Sequence, residues 1–239
     1  MIILYHSDKS TCSQRVRHAL AEKHISWESR HIKLDANEHL STEYLALNPN
    51  GLVPTLIDGS TTVVDSSVIL EYLEDVYPEQ PLRPSLAADK AQMRAWVQYL
   101  DEVTTPAIRY PSFQKAFGKR LATMPAEKRL AMARERPLRE GFYRQLGPEG
   151  FHEGVLALAE RQLVQSLDRI EHTLNMNRCL VGDELSIADI SLLPSLVRLE
   201  DLHMQYLFEA RPSVVRWYRD MCDRPSFELA YYPASRVNL

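Results

Sequence analysis

Residues 48–77 read NPNGLVPTLIDGSTTVVDSSVILEYLEDVY and carry turn, strand and helix signals in close succession. Asn, Pro and Gly at 48–51 predict a turn that ends the preceding segment. Asp58-Gly59 is a strong β-hairpin signal, so the apolar runs on either side of it predict two antiparallel strands. Pro54 cannot donate a hydrogen bond to a sheet, which predicts that it starts the first strand, where an X–Pro bond can be cis.

A helix start follows the hairpin. Asp65, Ser66 and Ser67 are residue types that favour the N-cap position. Apolar side chains then recur at helical spacing, at Val68, Ile69, Tyr72, Leu73 and Val76. The helix N-terminus and the Ser66 hydroxyl would suit a carboxylate, and the backbone of Val53, if free of the sheet, would suit an extended peptide. An ordinary hairpin that leads into an ordinary capped helix is the alternative.

The preceding residues predict two strands and two helices. Residues 2–5 and 27–34 are β-prone runs. Between them Ser10 or Thr11 can N-cap a helix, whose inner face would be Cys12, Val16, Ala19 and Leu20. A short helix then ends at the turn that begins with Asn48. The order βαβαββα calls for a mixed sheet with helices on its faces.

The remaining sequence is helical in pattern. We expect an α/β domain at 1–77, a proline-marked linker at 78–87 and an all-helical domain at 88–239. The helical segments lie near 93–103, 156–174, 186–202 and 214–221. Four prolines predict an end or a bend of these helices: Pro106 and Pro111 for the first, Pro194 for the third and Pro225 for the last.

Composition narrows the class of protein. Hydrophobic residues make up 45% and charged residues 25%, which is typical of a globular protein with a real core. A net charge of -4 argues against nucleic acid or an anionic membrane as a partner. Three scattered cysteines without metal spacing predict a reducing, cytoplasmic setting and no metal site. The opening apolar run is too short for a signal peptide, and no run reaches the length of a membrane span.

Residues 110–147 form a basic excursion with weak periodicity. It contains nine Lys and Arg residues (115, 119, 120, 128, 129, 134, 136, 139 and 144) against three Glu (127, 135 and 140). A solvated helical segment is one interpretation. The other is a lid or wall over a site that prefers acidic or aromatic ligands.

The candidate catalytic residues are Ser10, Thr11 and Cys12. Hydroxyls at a helix N-terminus can donate hydrogen bonds to an anion, and so favour the thiolate of a bound thiol whose free pKa is about 8.5. Cys12 is a competing nucleophile, although its place on the apolar face with Val16 favours a buried structural cysteine. Arg15 occupies the position where an internal redox pair would need a second cysteine.

Four motifs resemble the cytosolic glutathione transferases over essentially the whole chain. Residues 10–17, STCSQRVR, are similar to the zeta-class signature SSCSxRVR; Val53-Pro54 matches the family's cis-proline; Asp65-Ser66 matches its acidic–serine pair; residues 182–189, GDELSIAD, match its buried N-capping motif. The resemblance implies a thioredoxin-like N-terminal domain followed by an all-α helical bundle. It also implies glutathione as co-substrate, a cytoplasmic homodimer and a role in detoxification.

The resemblance implies a role for each matching position. Ser10 would hold the glutathione sulfur as thiolate, Val53 would pair its backbone with the cysteinyl moiety, and His39 would meet the glycyl carboxylate unless it is a plain surface histidine. Asp65 and Ser66 would bind the γ-glutamyl end. Leu52 stands where many members have lysine, which argues against a second charged contact. Ser186 and Asp189 have capping-box spacing and are interpreted as structural.

The second substrate is left open by the sequence. Residues 68–79 and 82–84 also resemble bacterial glutathione-dependent β-aryl ether-cleaving enzymes. A small hydrophobic, aromatic electrophile is expected. Its candidate walls are Tyr5, His6, Tyr110, Phe113 and Phe117, with core packing as the default interpretation of any one of them. Two alternatives are glutathione-dependent thiol exchange or peroxide reduction through Cys12, and a non-catalytic binding module.

Overall fold

A computed structural model describes residues 1–118 and 123–239, and the chain begins with a four-stranded mixed sheet. The elements are β1 (Ile2–His6), α1 (Thr11–Glu22), β2 (Trp27–His31), a 3₁₀ turn (Glu38–Leu40), α2 (Thr42–Leu47), β3 (Thr55–Asp58), β4 (Thr61–Val64) and α3 (Ser66–Val76). The strand order is β2-β1-β3-β4, with β1 parallel to β2 and antiparallel to β3. This is the predicted βαβαββα order and mixed sheet.

The hairpin forms at Asp58-Gly59, as expected. Asp58 pairs with Thr61 at the end of the β3–β4 ladder, and Gly59 has a φ of +59°, which glycine adopts without strain. β2 is shorter than the predicted 27–34. Its pairing ends with the His6–His31 pair because β1 itself ends there.

The second part is built from helices. These are α4 (Ala87–Tyr99), a π-helical segment (Leu100–Thr104), α5 (Thr105–Ser112), a second π-helical segment (Phe113–Phe117), α6 (Ala126–Arg134), α7 (Glu140–Arg144), α8 (Glu153–Leu174), α9 (Ile187–Asp201), α10 (Tyr206–Glu209), α11 (Pro212–Cys222), α12 (Pro225–Ala230) and a 3₁₀ turn (Pro233–Ser235). The predicted α/β part followed by a helical part is confirmed.

Pro106 and Pro111 do not end the helix that contains them. Both lie inside α5, within a helical run that continues from α4 to Phe117. A proline removes one backbone donor, and the adjacent π-helical segments shift the hydrogen-bond register instead of ending the helix. α11 ends at Cys222, before Pro225, as expected, and Pro225 begins α12, where the first helical position needs no N–H donor.

The core is continuous through both parts. Leu20 of α1, Leu73 of α3 and Leu193 of α9 belong to one cluster of buried apolar side chains. α9 is buried along nearly its whole length, as its uninterrupted apolar sequence predicts, and contains Pro194. In the part of the chain that the structure describes, no helix combines the length and apolar character needed to cross a membrane.

Candidate active site

A cavity of about 850 Å³ lies between the β1–α1 loop, the loop before β3 and the helical part. The predicted site residues that line it are Ser10, Thr11, Cys12, His39, Leu52 and Val53. The other three lie outside this lining. Pro54 is buried directly before β3, and Asp65 and Ser66 lie at the start of α3.

Ser10 is the N-cap of α1. Its Oγ accepts a hydrogen bond from the Ser13 N–H at 3.3 Å. Within residues 1–118 and 123–239, no group accepts the Ser10 hydroxyl hydrogen. The hydroxyl can therefore cap the helix and still donate to an anion in the cavity.

Cys12 is half-buried and lines the cavity, so the expectation of a buried structural cysteine is wrong. The apolar face of α1 buries Val16 fully, but the first turn lies at the edge of the core and opens into the cavity. Arg15 and Arg109 both interact electrostatically with Cys12. Cys12 is thus a second nucleophile candidate beside Ser10.

The loop before β3 is held by two polar side chains. Tyr44 donates its hydroxyl to the Leu52 carbonyl at 2.6 Å, and Asn48 donates its side-chain amide to the same oxygen at 2.9 Å. Both side chains also bond the Thr55 hydroxyl. These contacts fix the backbone at the cavity wall, and the Val53–Pro54 peptide bond is cis, as expected.

A buried arginine organises the start of α3. Arg15 Nη1 donates to Ser66 Oγ at 3.3 Å and to Ser67 Oγ at 2.9 Å, and it forms an ion pair with Asp101 at 2.8 Å. Asp65 caps the helix by accepting from the Ser67 N–H at 2.9 Å. Sequence reasoning gave Arg15 no such role, although a charged residue beside an apolar helix face is the signal that could have suggested it.

His39 is buried at 6% exposure and lines the cavity, so it is not a plain surface histidine. Burial and the nearby Arg136 guanidinium lower the pKa of His39 to about 4, which keeps the ring neutral near pH 7. Arg136 donates to the Asn37 side chain at 2.8 Å and so ties the basic excursion to the N-terminal part. From the sequence, Arg136 was only one of the charged residues of the basic excursion, and no pattern predicted its contact with Asn37.

The basic excursion forms one wall of the cavity. Its lining residues are Ser112, Phe113, Ala116, Phe117, Met124, Lys128, Ala131, Met132, Glu135, Arg136, Arg139 and Tyr143. This supports the interpretation of 110–147 as a wall over a site and not merely a solvated segment. Lys119 and Arg120, two of its predicted cations, lie outside the described residues.

The predicted aromatic walls divide into two groups. Phe113 and Phe117 line the cavity, whereas Tyr5, His6 and Tyr110 do not. Tyr5 packs near Tyr44, with ring centroids 6.0 Å apart, and His6 bonds the Ser29 hydroxyl at 2.8 Å. Tyr110 packs on Phe142 and Phe151 in a separate cluster. For these three rings the core-packing alternative holds, because each has internal packing or hydrogen-bond partners.

Two family models match most of the chain. The glutathione S-transferase N-terminal domain matches residues 4–81, and the glutathione S-transferase C-terminal domain matches residues 139–225. The chain belongs to the glutathione S-transferase family. As a glutathione transferase it is an enzyme that takes glutathione as co-substrate.

Similar proteins span nearly the same length as this chain. The glutathione S-transferase TCHQD of Arabidopsis thaliana is 29% identical, over 94% of this chain and 87% of its own. The tetrachloro-p-hydroquinone reductive dehalogenase of Sphingobium chlorophenolicum is 28% identical, over 96% and 95%. A crystal structure of the beta-etherase LigF from Sphingobium sp. strain SYK-6 has a TM-score of 0.85 and 27% identity, covering 96% and 98%.

Buried histidines should make this glutathione transferase sensitive to mild acid. Burial lowers the pKa of His6 and of His39 from 6.5 to about 4, and Arg17 donates to the His6 ring at 3.2 Å. Between pH 6.5 and about 4 the unfolded state therefore binds more protons than the folded state. The free energy of unfolding should fall as the pH is lowered through this window, by up to about 1.4 kcal/mol per pH unit for each histidine.

Urea unfolding at about pH 7.5, 6 and 5 measures this effect. His39→Gln should flatten the loss of stability on acidification. His172→Gln, at an exposed position of α8, is the matched control and should leave the slope unchanged. If the free energy of unfolding of His39→Gln depends on pH as steeply as that of the wild type, the lowered pKa of His39 is contradicted.

Proposed function

We propose that Ser10 holds the sulfur of bound glutathione as a thiolate by donating its hydroxyl hydrogen. The observation that carries this proposal is the unused hydroxyl donor of Ser10, which lines the cavity at the N-terminus of α1. A hydrogen bond and the helix dipole both favour the anion over the thiol. The thiol proton leaves to solvent when glutathione binds.

The electrophile is proposed to be a hydrophobic, aromatic molecule. Phe113, Phe117 and Ile108 supply an apolar wall on the helical side of the cavity. The thiolate attacks an electron-poor carbon, a C–S bond forms, and the bond to the leaving group breaks with its electron pair going to that group. On this proposal residues 1–77 bind glutathione and residues 88–239 bind the electrophile.

The remaining parts of glutathione are assigned by the same proposal. The Val53 backbone pairs with the cysteinyl moiety, and Leu52 and Pro54 shape that contact. Asp65 and Ser66 bind the γ-glutamyl end, supported by the contact between Arg15 and Ser66. His39 contacts the glycyl carboxylate from the cavity wall. A cytoplasmic homodimer acting in detoxification completes the proposal by analogy with the family.

Two further chemistries have specific support. The half-buried Cys12 favours thiol exchange, in which its thiolate attacks one sulfur of a disulfide and expels the other as thiolate. The similarity to the beta-etherase LigF favours ether cleavage, in which the glutathione thiolate attacks the carbon of a β-aryl ether and expels a phenolate. Release of a phenol from a β-aryl ether in the presence of glutathione would identify the second.

An ultraviolet thiolate difference spectrum, recorded on adding glutathione at about pH 7, tests whether Ser10 is the hydrogen-bond donor to the glutathione thiolate. We expect a thiolate band with the wild type and with Cys12→Ala, and none with Ser10→Ala. A band that survives in Ser10→Ala would assign the donor to Thr11 or to backbone N–H groups. Calorimetric binding of glutathione, measured on the same samples, separates loss of ionisation from loss of binding.

A further inference from the structure

Two arginines in the cavity wall have no polar partner among residues 1–118 and 123–239. Arg109 of α5 and Arg139, directly before α7, both line the cavity. Among the described residues, neither makes an ion pair or a side-chain hydrogen bond. Arg109 lies over the Phe142 ring at 5.6 Å, a contact that leaves its N–H donors unused.

The neighbouring arginines differ in this respect. Arg15 is paired with Asp101, Arg136 donates to Asn37, and Arg198 donates to the Lys9 carbonyl. On the opposite side of the cavity Asp8 is occupied by His31, at 3.1 Å, and by Tyr232. Among the described residues, Arg109 and Arg139 are thus the arginines of the cavity lining that lack a polar partner.

Glu135 also lines this wall, but among the described residues it forms no ion pair with either arginine, so the two cations lie together without a paired anion, which is unfavourable. Burial and the charge of Arg139 lower the pKa of Arg109 to about 10, so the guanidinium stays charged at pH 7 but lacks full stabilisation. A ligand carboxylate or phenolate would relieve both the desolvation and the mutual repulsion. Arg presents donors in a fork that matches such an anion.

An aromatic surface adjoins the cations. Phe113 lies four residues after Arg109 along the helical run, and Tyr143 lies four residues after Arg139; both rings line the cavity. Arg109 interacts electrostatically with Cys12, which lies two residues from Ser10, so its guanidinium is within electrostatic reach of the nucleophile across the cavity. Cation and ring together match a molecule that has an anionic group on an aromatic ring.

We propose that the electrophile subsite takes aromatic electrophiles that carry a negatively charged group, held by Arg109 and Arg139. This inference rests on the proposed function for the identity of the attacked ring, and it deepens that function by naming a substrate class. The anionic group belongs to the electrophile and is not a carboxylate of glutathione. The experiment below distinguishes these two sources of the anion.

Binding is measured first, without catalysis. Calorimetry compares 3-nitrobenzoate with the neutral 3-nitrobenzamide, using the wild type, Arg109→Gln, Arg139→Gln and the control Arg134→Gln, an exposed α6 residue outside the cavity. We expect the wild type to prefer the benzoate, and each cavity variant to lose about 10- to 100-fold of that preference. Arg109→Lys should lose less than Arg109→Gln, because the charge remains.

Catalysis is measured second, with 4-chloro-3-nitrobenzoate and 4-chloro-3-nitrobenzamide as electrophiles. Glutathione sulfur bonds to the carbon that bears chlorine, and chloride leaves. The ratio of kcat/KM for the benzoate to that for the benzamide should fall about 10- to 100-fold in Arg109→Gln. No turnover of either electrophile would refute the proposed function alone, because the binding preference is measured independently.

Three results would overturn the inference. The first is equal binding of benzoate and benzamide by the wild type. The second is a preference that survives in both Arg109→Gln and Arg139→Gln. The third is a fall in glutathione affinity in these variants as large as the fall in benzoate affinity, which would assign the arginines to glutathione.

Discussion

Ser10→Ala is expected to lower kcat/KM for glutathione conjugation about 10²- to 10³-fold, the loss typical of removing one donor to a developing or stabilised anion. The reason is that Ser10 lines the cavity and that its hydroxyl hydrogen has no acceptor among the described residues. Without that donor, the pKa of the bound thiol should return toward about 8.5. A smaller fraction of glutathione is then ionised at neutral pH.

The deficit in activity of Ser10→Ala should depend on pH in a definite direction. A hydrogen bond to the anion lowers the thiol pKa, so its loss raises the pH at which activity appears, and the deficit of Ser10→Ala should shrink as the pH rises toward about 9. Ser10→Thr, which keeps a hydroxyl, should recover part of the activity. A deficit that is the same at every pH would contradict a role in ionisation.

Loss of a helix cap needs its own control, because Ser10 also caps α1. Ser41 caps α2 in the same way by accepting from the Tyr44 N–H at 3.2 Å, and it does not line the cavity. Ser41→Ala should lose stability of about 1 kcal/mol while conjugation continues. Loss of activity with Cys12→Ala, together with wild-type activity in Ser10→Ala, would favour the thiol-exchange alternative.

Local signals in residues 48–77 were sufficient to predict the β3–β4 hairpin and the helix that follows it. The Asp58-Gly59 turn, the proline at a strand start and the Asp65 cap each act within a few residues, so they can be recognised without tertiary contacts. The positions of Ser10 and Val53 beside the cavity follow from the same order of elements.

Long-range contacts explain what the sequence did not predict. Arg15 meets Ser66 and Asp101, residues far along the chain, and no local pattern predicts that meeting. The first turn of α1 borders both the core and the cavity. The apolar spacing of Cys12 and Val16 therefore did not reveal that Cys12 is partly exposed. Pro106 was expected to disrupt a helix because sequence rules assume a fixed hydrogen-bond register, whereas the chain changes that register next to it.

Asp189→Ala is expected to destabilise the folded protein by about 3–5 kcal/mol, far more than an exposed cap. Asp189 is fully buried and accepts from the Ser186 N–H at 3.0 Å and from the Ser186 hydroxyl at 2.8 Å. Its other oxygen accepts from the Leu180 N–H and from Trp217 Nε1, both at 2.9 Å. Alanine would leave these donors buried without an acceptor, at the start of the central helix α9.

Asp189→Asn separates the hydrogen bonds from the space that the side chain fills. Asparagine can keep one oxygen for Leu180 and Trp217, but its NH₂ group would face the Ser186 N–H, so two donors would oppose each other. Its loss of stability should fall between those of Asp189→Ala and of Glu184→Gln, an exposed neighbour that serves as control. Urea unfolding measures all three, and a loss for Asp189→Ala no larger than that for Glu184→Gln would contradict a structural role. Because each partner of Asp189 is a donor held by the fold, the carboxylate is required by the start of α9 itself, independently of any ligand in the cavity.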